Sequence, residues 1–267
     1  MNIDEKKDYI FSDNLGLFHL KGINDKKALQ IKLNSEEKYI GIIKLTDNIY
    51  AFSSNSIYNK GKNVLSIYNI NKQNSEPQII NDLHLETGQY SFNTNNNSLY
   101  LINIDNTNEL LLCACKSYNL GSKNGIMLSK LNTNKFPIKL ISLEFYDTED
   151  FEISCFCSVY ENKDRRFVYV LVGGFESDKK RGMVKLYKIY HDVNDDRVKL
   201  EYIQDAIENS ENNVEFDGTI NNIIRPKEKK RDVIVSCYKG SNYLFKLPRN
   251  DKFYEDLMWY IDINNNI

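Results

Sequence analysis

A strand hairpin that recurs five times constrains this fold more than any other feature of the 267 residues. In each copy a β-branched or aromatic run ends in two small or polar residues, as in 9–13 (YIFSD), 50–54 (YAFSS), 111–115 (LLCAC), 170–174 (VLVGG) and 233–237 (VIVSC). A polar turn and a second such run follow: 16–21 (GLFHLK), 64–70 (VLSIYNI), 126–131 (IMLSKL), 183–189 (MVKLYKI) and 242–247 (NYLFKL). Runs of this composition bounded by Asn, Asp, Gly and Lys read as strands and turns, and only four prolines interrupt the chain. The small positions Ser12, Ser53, Ala114, Gly173 and Ser236 are spaced by 53−12 = 41, 114−53 = 61, 173−114 = 59 and 236−173 = 63 residues.

Two further runs frame most hairpins. One precedes it, at 39–45, 98–104, 152–160 and 219–224; another follows it, at 27–33, 77–85, 137–146 and 198–206. The order inner, second, third, outer is that of a β-propeller blade. The chain is therefore expected to be one all-β domain over 1–267, with blades at approximately 1–34, 35–87, 88–146, 147–210 and 211–267. Blades of about 40 residues are usual for WD40-type rings, so the longer spacings imply insertions. They also leave room for a sixth sheet beginning near Gln89-YSF. A β-sandwich or large barrel built from the same strands is the competing architecture.

The stretch 171–189 (LVGGFESDKKRGMVKLYKI), with 217–224 (DGTINNII) and 233–247 (VIVSCYKGSNYLFKL), resembles consecutive blades of the WD40-like propeller superfamily. The resemblance extends over nearly the whole chain and implies a five-bladed ring of four-stranded sheets. No Trp-Asp pair closes a third strand and no Gly-His pair opens a blade, so no subfamily is assigned. Two endings of the ring stay open, because only residues 1–7 precede the first hairpin and the last segment, 253–263, has several ways to pair: the termini pair with each other as in ordinary propellers, or the ring is one strand short. Unpaired strand edges invite another chain. A partner strand would then complete the ring, an arrangement similar to the open propellers of vesicle-coat and nuclear-pore subunits.

Catalytic chemistry finds little support. Cys113, Cys115, Cys155 and Cys157 form two C-x-C pairs that could offer four thiolates to zinc, but no finger spacing accompanies them. With Cys237 the cysteines number five and sit in apolar runs, which fits buried free thiols better than a disulfide framework. His19, His84 and His191 stand in no catalytic setting, and no P-loop, G-x-G-x-x-G, H-E-x-x-H or G-x-S-x-G string occurs. No cofactor or metal is expected. A funnel-site hydrolase, such as a five-bladed glycosidase using Asp47, Asp105, Glu152 or Asp217, is the enzymatic alternative.

Charge carries the functional expectation. With 37 acidic and 35 basic residues the chain has a formal charge of −2, which gives no global field for nucleic acid or anionic membrane. Local patches differ. One loop face is expected to gather Lys163, Arg165, Arg166, Lys227, Lys229, Lys230 and Arg231, and the opposite face Asp147, Glu149, Asp150, Glu208, Glu211, Glu215 and Asp217, partly offset by Lys179, Lys180 and Arg181. The expectation is a non-catalytic subunit that docks other proteins through these faces; a nucleic-acid-binding accessory factor is a further alternative. The charged start MNIDEKKDYIF lacks the apolar core of a signal peptide and no run reaches about 20 apolar residues, so the expected compartment is the cytoplasm.

Overall fold

A computed structural model of the chain describes residues 8–13, 16–21, 29–31, 37–46, 49–56, 63–69, 78–79, 90–92, 99–105, 108–117, 123–133, 138–161, 167–192, 194, 197–205, 216, 218–228, 231–247 and 260–261. Among them the chain is all-β, in five antiparallel sheets that each come from one continuous stretch. The first holds β1 (Asp8–Asp13), β2 (Gly16–Lys21) and β3 (Leu29–Ile31). The second holds β4 (Glu37–Thr46), β5 (Ile49–Ser56), β6 (Asn63–Asn69) and β7 (Gln78–Ile79). The third has β8 (Tyr90–Phe92), β9 (Leu99–Asp105), β10 (Asn108–Ser117), β11 (Lys123–Asn132) and β12 (Lys139–Glu149). The fourth has β13 (Phe151–Glu161), β14 (Phe167–Glu176), β15 (Arg181–Asp192) and β16 (Arg197–Asp205). The fifth has β17 (Ile220–Ile224), β18 (Asp232–Cys237), β19 (Asn242–Lys246) and β20 (Tyr260–Ile261).

The recurring hairpins are the pairs β1–β2, β5–β6, β10–β11, β14–β15 and β18–β19. Inside them Ala114 lies opposite Ile126 and Gly173 opposite Val184. The room that the spacing leaves for a sixth sheet near Gln89 is not taken up by one among the described residues. β8 instead pairs with Cys115–Ser117 of β10, on from the stretch that β9 pairs with, and so prolongs one edge of the third sheet. A three-residue strand buries too little to stand alone and takes the nearest open ladder.

Why do the central strands read as unbroken apolar runs instead of alternating? The internal sheets are buried on both faces, so each parity of residue meets a different neighbour. On β10, Leu111, Cys113 and Cys115 pack with Leu45, Ala51 and Ile67 of the second sheet. The intervening Leu110, Leu112 and Ala114 pack with Phe156, Val170 and Val172 of the fourth. The far face of the fourth sheet, with Cys155, Cys157, Leu171 and Leu186, meets Ile220, Ile223, Val235 and Phe245 of the fifth. Successive sheets thus pack in chain order.

One residue sets the parity of β13. Phe151, Ile153 and Phe156 face the third sheet, whereas Cys155 and Cys157 face the fifth. Strict alternation would place 151, 153, 155 and 157 together. The ladder shifts register between Ile153 and Cys155, where Ser154 forms a β-bulge. Its side chain is buried, and its hydroxyl sits between the carbonyl oxygens of Gly173, at 3.1 Å, and Ile220 of the fifth sheet. The bulge is thereby tied to both neighbouring ladders.

Among the described residues β1 pairs on one side, with β2, and no strand of the first sheet makes extensive contact with a strand of the fifth. Residues 1–7 lie outside the described set; of 253–263, only β20 lies within it, paired with β19 as the outer strand of the fifth sheet. No helix among the described residues is long and apolar enough to cross a membrane.

Candidate functional site: an acidic cavity between the third and fourth sheets

The third sheet hands the chain to the fourth through a single residue, Asp150, between β12 and β13. So sharp a passage needs left-handed backbone, and Glu149 supplies it with φ of 55°. The Asp147 carboxylate accepts from the Glu149 amide at 2.8 Å, and the Thr148 hydroxyl donates to the Phe151 carbonyl at 2.9 Å. The Asp150 carbonyl in turn accepts from the Ser177 amide at 3.1 Å. This bond holds the passage beside the β14–β15 turn, where Lys180 is also left-handed, with φ of 53°.

These two connections and the end of β16 enclose a cavity of about 540 Å³. Six carboxylates line it: Asp147, Glu149, Asp150, Glu176, Asp178 and Asp205. The cations among the lining residues are Lys179 and Lys185, and Tyr146, Phe151, Tyr187 and Tyr202 give aromatic walls. Glu176, at 5% exposure, is the centre of an ion network. Its Oε1 binds the Lys185 ammonium at 2.9 Å; its Oε2 lies 3.1 Å from Lys179 Nζ and 3.7 Å from Arg181 Nε. Burial pushes the Glu176 carboxyl upward, but the hydrogen bonds from Lys185 and Lys179 outweigh it and hold the group below its ordinary range. The Lys185 ammonium also rests 4.6 Å from the centre of the Phe151 ring and 5.8 Å from that of Tyr202.

Elsewhere on the rim Lys123 hydrogen-bonds Asp147, which lowers that carboxyl. Burial raises the Tyr146 phenol, and its bond to Glu144 at 2.6 Å raises it further. The Tyr187 phenol is raised by burial first and then by the charges of Asp205, Glu149 and Glu176. An amine, ammonium or guanidinium is the chemistry these walls suit. No family model and no curated protein matches this chain.

Of the acidic residues singled out in the sequence, Asp147, Glu149 and Asp150 line this cavity, while Glu208, Glu211, Glu215 and Asp217 lie outside the described residues. Of the basic set, Lys163, Arg165, Arg166, Lys229 and Lys230 also lie outside them. Lys227 is exposed in the β17–β18 connection. Arg231 has a structural job: its Nε and Nη2 donate to the Leu247 carbonyl at 3.0 and 2.9 Å, closing the end of the β18–β19 ladder. Among the funnel carboxylates, Glu152 is exposed on β13 outside the cavity lining and Asp105 ends β9; Asp47 is outside the described residues. Glu176, Asp178 and Asp205 were not singled out from the sequence. One signal pointed to Glu176: Lys185 stands between Val184 and Leu186 in an apolar run, and a lysine there needs a carboxylate near it.

The cysteines do not converge. Cys113 and Cys115 belong to the cluster between the second and third sheets, and Cys155 and Cys157 to that between the fourth and fifth. Among the described residues no group of three or more His, Cys, Asp or Glu could hold a metal ion. Burial pushes the thiols up, to about 12 at Cys115, about 12 at Cys155 and about 11 at Cys157. With all five thiols buried and in no disulfide, the folded protein is expected to react negligibly with a chromogenic disulfide reagent near pH 8. All five should titrate in denaturant. Rapid reaction of one or more in the folded state would contradict this burial.

Proposed function

We propose that the chain is a WD40-like β-propeller of five blades, acting as a non-catalytic interaction subunit that docks a basic protein partner at the acidic cavity. The observation that carries the reading is the charge of that cavity: six carboxylates against two lysines that already serve Glu176. Lys123 and Arg181 pair Asp147 and Glu176 from outside the lining, so that Glu149, Asp150, Asp178 and Asp205 keep the site acidic. A concave acidic site of this kind speeds and orients the encounter with a cationic surface. It opposes phosphate-rich ligands at the same place. Tyr202, half exposed at the rim, offers the amphipathic ring that often anchors interfaces.

The inner-to-outer strand order within each continuous stretch, and the packing of each sheet on the next, support the propeller. Charge reversal at two exposed rim positions, Asp150→Lys with Asp178→Lys, tests the docking. Wild-type protein recovered from native cells is expected to retain a basic partner that about 0.5 M salt releases. The double variant should lose that partner while melting at the same temperature. An identical set of retained proteins would sink the reading.

A further inference from the structure

We propose that the cavity binds one aliphatic cation, the ammonium or guanidinium end of a partner's lysine or arginine, with the Asp205 carboxylate as its anchor. This rests on the docking reading above and names what enters the site.

Asp205 ends β16 and is 7% exposed. Its ladder partner is Lys185, but the Lys185 ammonium is bound to Glu176. The hydrogen bond Asp205 does receive comes from a neutral group, the Tyr202 hydroxyl, at 2.9 Å to Oδ1. Among the described residues no ammonium or guanidinium reaches salt-bridge distance of it; Lys179 feels it only as a more distant charge. Carboxylates so deeply placed are ordinarily matched by a cation, because burying an unmatched charge is costly. Asp205 faces a cavity of about 540 Å³ and lacks that match.

The walls suit the same chemistry. Phe151 and Tyr202 already hold one ammonium, that of Lys185, against their rings. The fields of Asp205, Glu149 and Glu176 meet at the Tyr187 phenol, which places three carboxylates around one part of the cavity. An entering lysine or arginine would extend its apolar stem past these rings and set its charged end on Asp205.

The test uses short labelled peptides of alternating serine and lysine, their arginine and Nε-acetylated counterparts, and spermine as a free polyamine, with affinity read by fluorescence anisotropy or competition. Asp205→Asn should weaken the lysine peptide about tenfold or more, in line with losing a charge-assisted hydrogen bond. Acetylation should abolish binding. Glu201→Gln, at an exposed carboxylate of the same strand outside the cavity, should change affinity by less than about twofold.

Asp205→Asn should also melt at the wild-type temperature or above, since it removes an unmatched buried charge. Tyr202→Phe keeps the ring, removes the hydroxyl that orients Asp205, and should show a smaller loss. Equal binding by wild type and Asp205→Asn would overturn the anchor while leaving the docking reading in place. Asp205-dependent binding of spermine without any peptide binding would support the cation site and overturn the polypeptide partner. No binding by either probe would overturn both.

Discussion

Replacing Glu176 by alanine is expected to destabilise the protein by about 3 kcal/mol, read as a lower urea midpoint at unchanged slope. The carboxylate is 5% exposed and forms ion pairs with two lysines. One of them, Lys185, has a side chain only 16% exposed, so removing the carboxylate strands an ammonium against the Phe151 and Tyr202 rings. Glu176→Gln keeps the volume and one acceptor oxygen and should lose less. The pH dependence has a definite sign. A carboxyl held below its unfolded value of about 4.3 lends its full stability above that pH and loses it as the pH falls through the lower folded value. The gap between wild type and Glu176→Gln should therefore narrow below about pH 4. A gap that widened on acidification would show that Glu176 is not held ionised by its lysines.

Gly173→Val is expected to cost about 3 kcal/mol by a different route, overpacking between sheets. A Cβ at this position would lie 2.6 Å from Ile220 Cγ2, 2.8 Å from Cys155 Sγ and 3.0 Å from Ile223 Cδ1. Two of those atoms belong to the fifth sheet, so the substitution drives the fourth and fifth sheets apart. Pairing it with Ile223→Val, which removes the Cδ1 contact, should recover part of the loss. A Gly173→Val protein with wild-type melting would mean that these two sheets are free to separate.

The small position that ends each hairpin's first run was legible because its cause is local to the ladder and repeats. Ala114 is buried against the fourth sheet and Gly173 sits tightly against Ile220 and Ile223 of the fifth, and strand rhythm with turn chemistry marks both in the sequence. The acidic rim was half legible. Asp147, Glu149 and Asp150 form a contiguous polar passage, which a reader sees as a loop between runs. Glu176 and Asp205 read as ordinary charged strand ends. Nothing in their own neighbourhoods says that the two ends meet across β15, because that depends on the bulge between Leu186 and Tyr187 in the β15–β16 register. Tyr90–Phe92 was misjudged for a related reason: three residues carry too little pattern to say which ladder they join.

Ser154 gives the fourth sheet something like a reading frame. Upstream of it the odd-numbered side chains of β13 answer to the third sheet, and downstream they answer to the fifth. Deleting this one residue would leave Ile153 and Cys155 as ordinary successive residues on opposite faces, so both audiences would stand and only the hydroxyl's ties to Gly173 and Ile220 would go. One further residue paired into the ladder would instead exchange them, turning Phe156 toward the tight space beside Gly173 and Cys155 and Cys157 toward the aromatic side. Over sequence drift, then, β13 should accept changes of side chain far more readily than changes of length. Among distant descendants of this chain, an insertion or deletion inside 151–157, loss of the bulge residue itself apart, should appear only with a compensating one nearby.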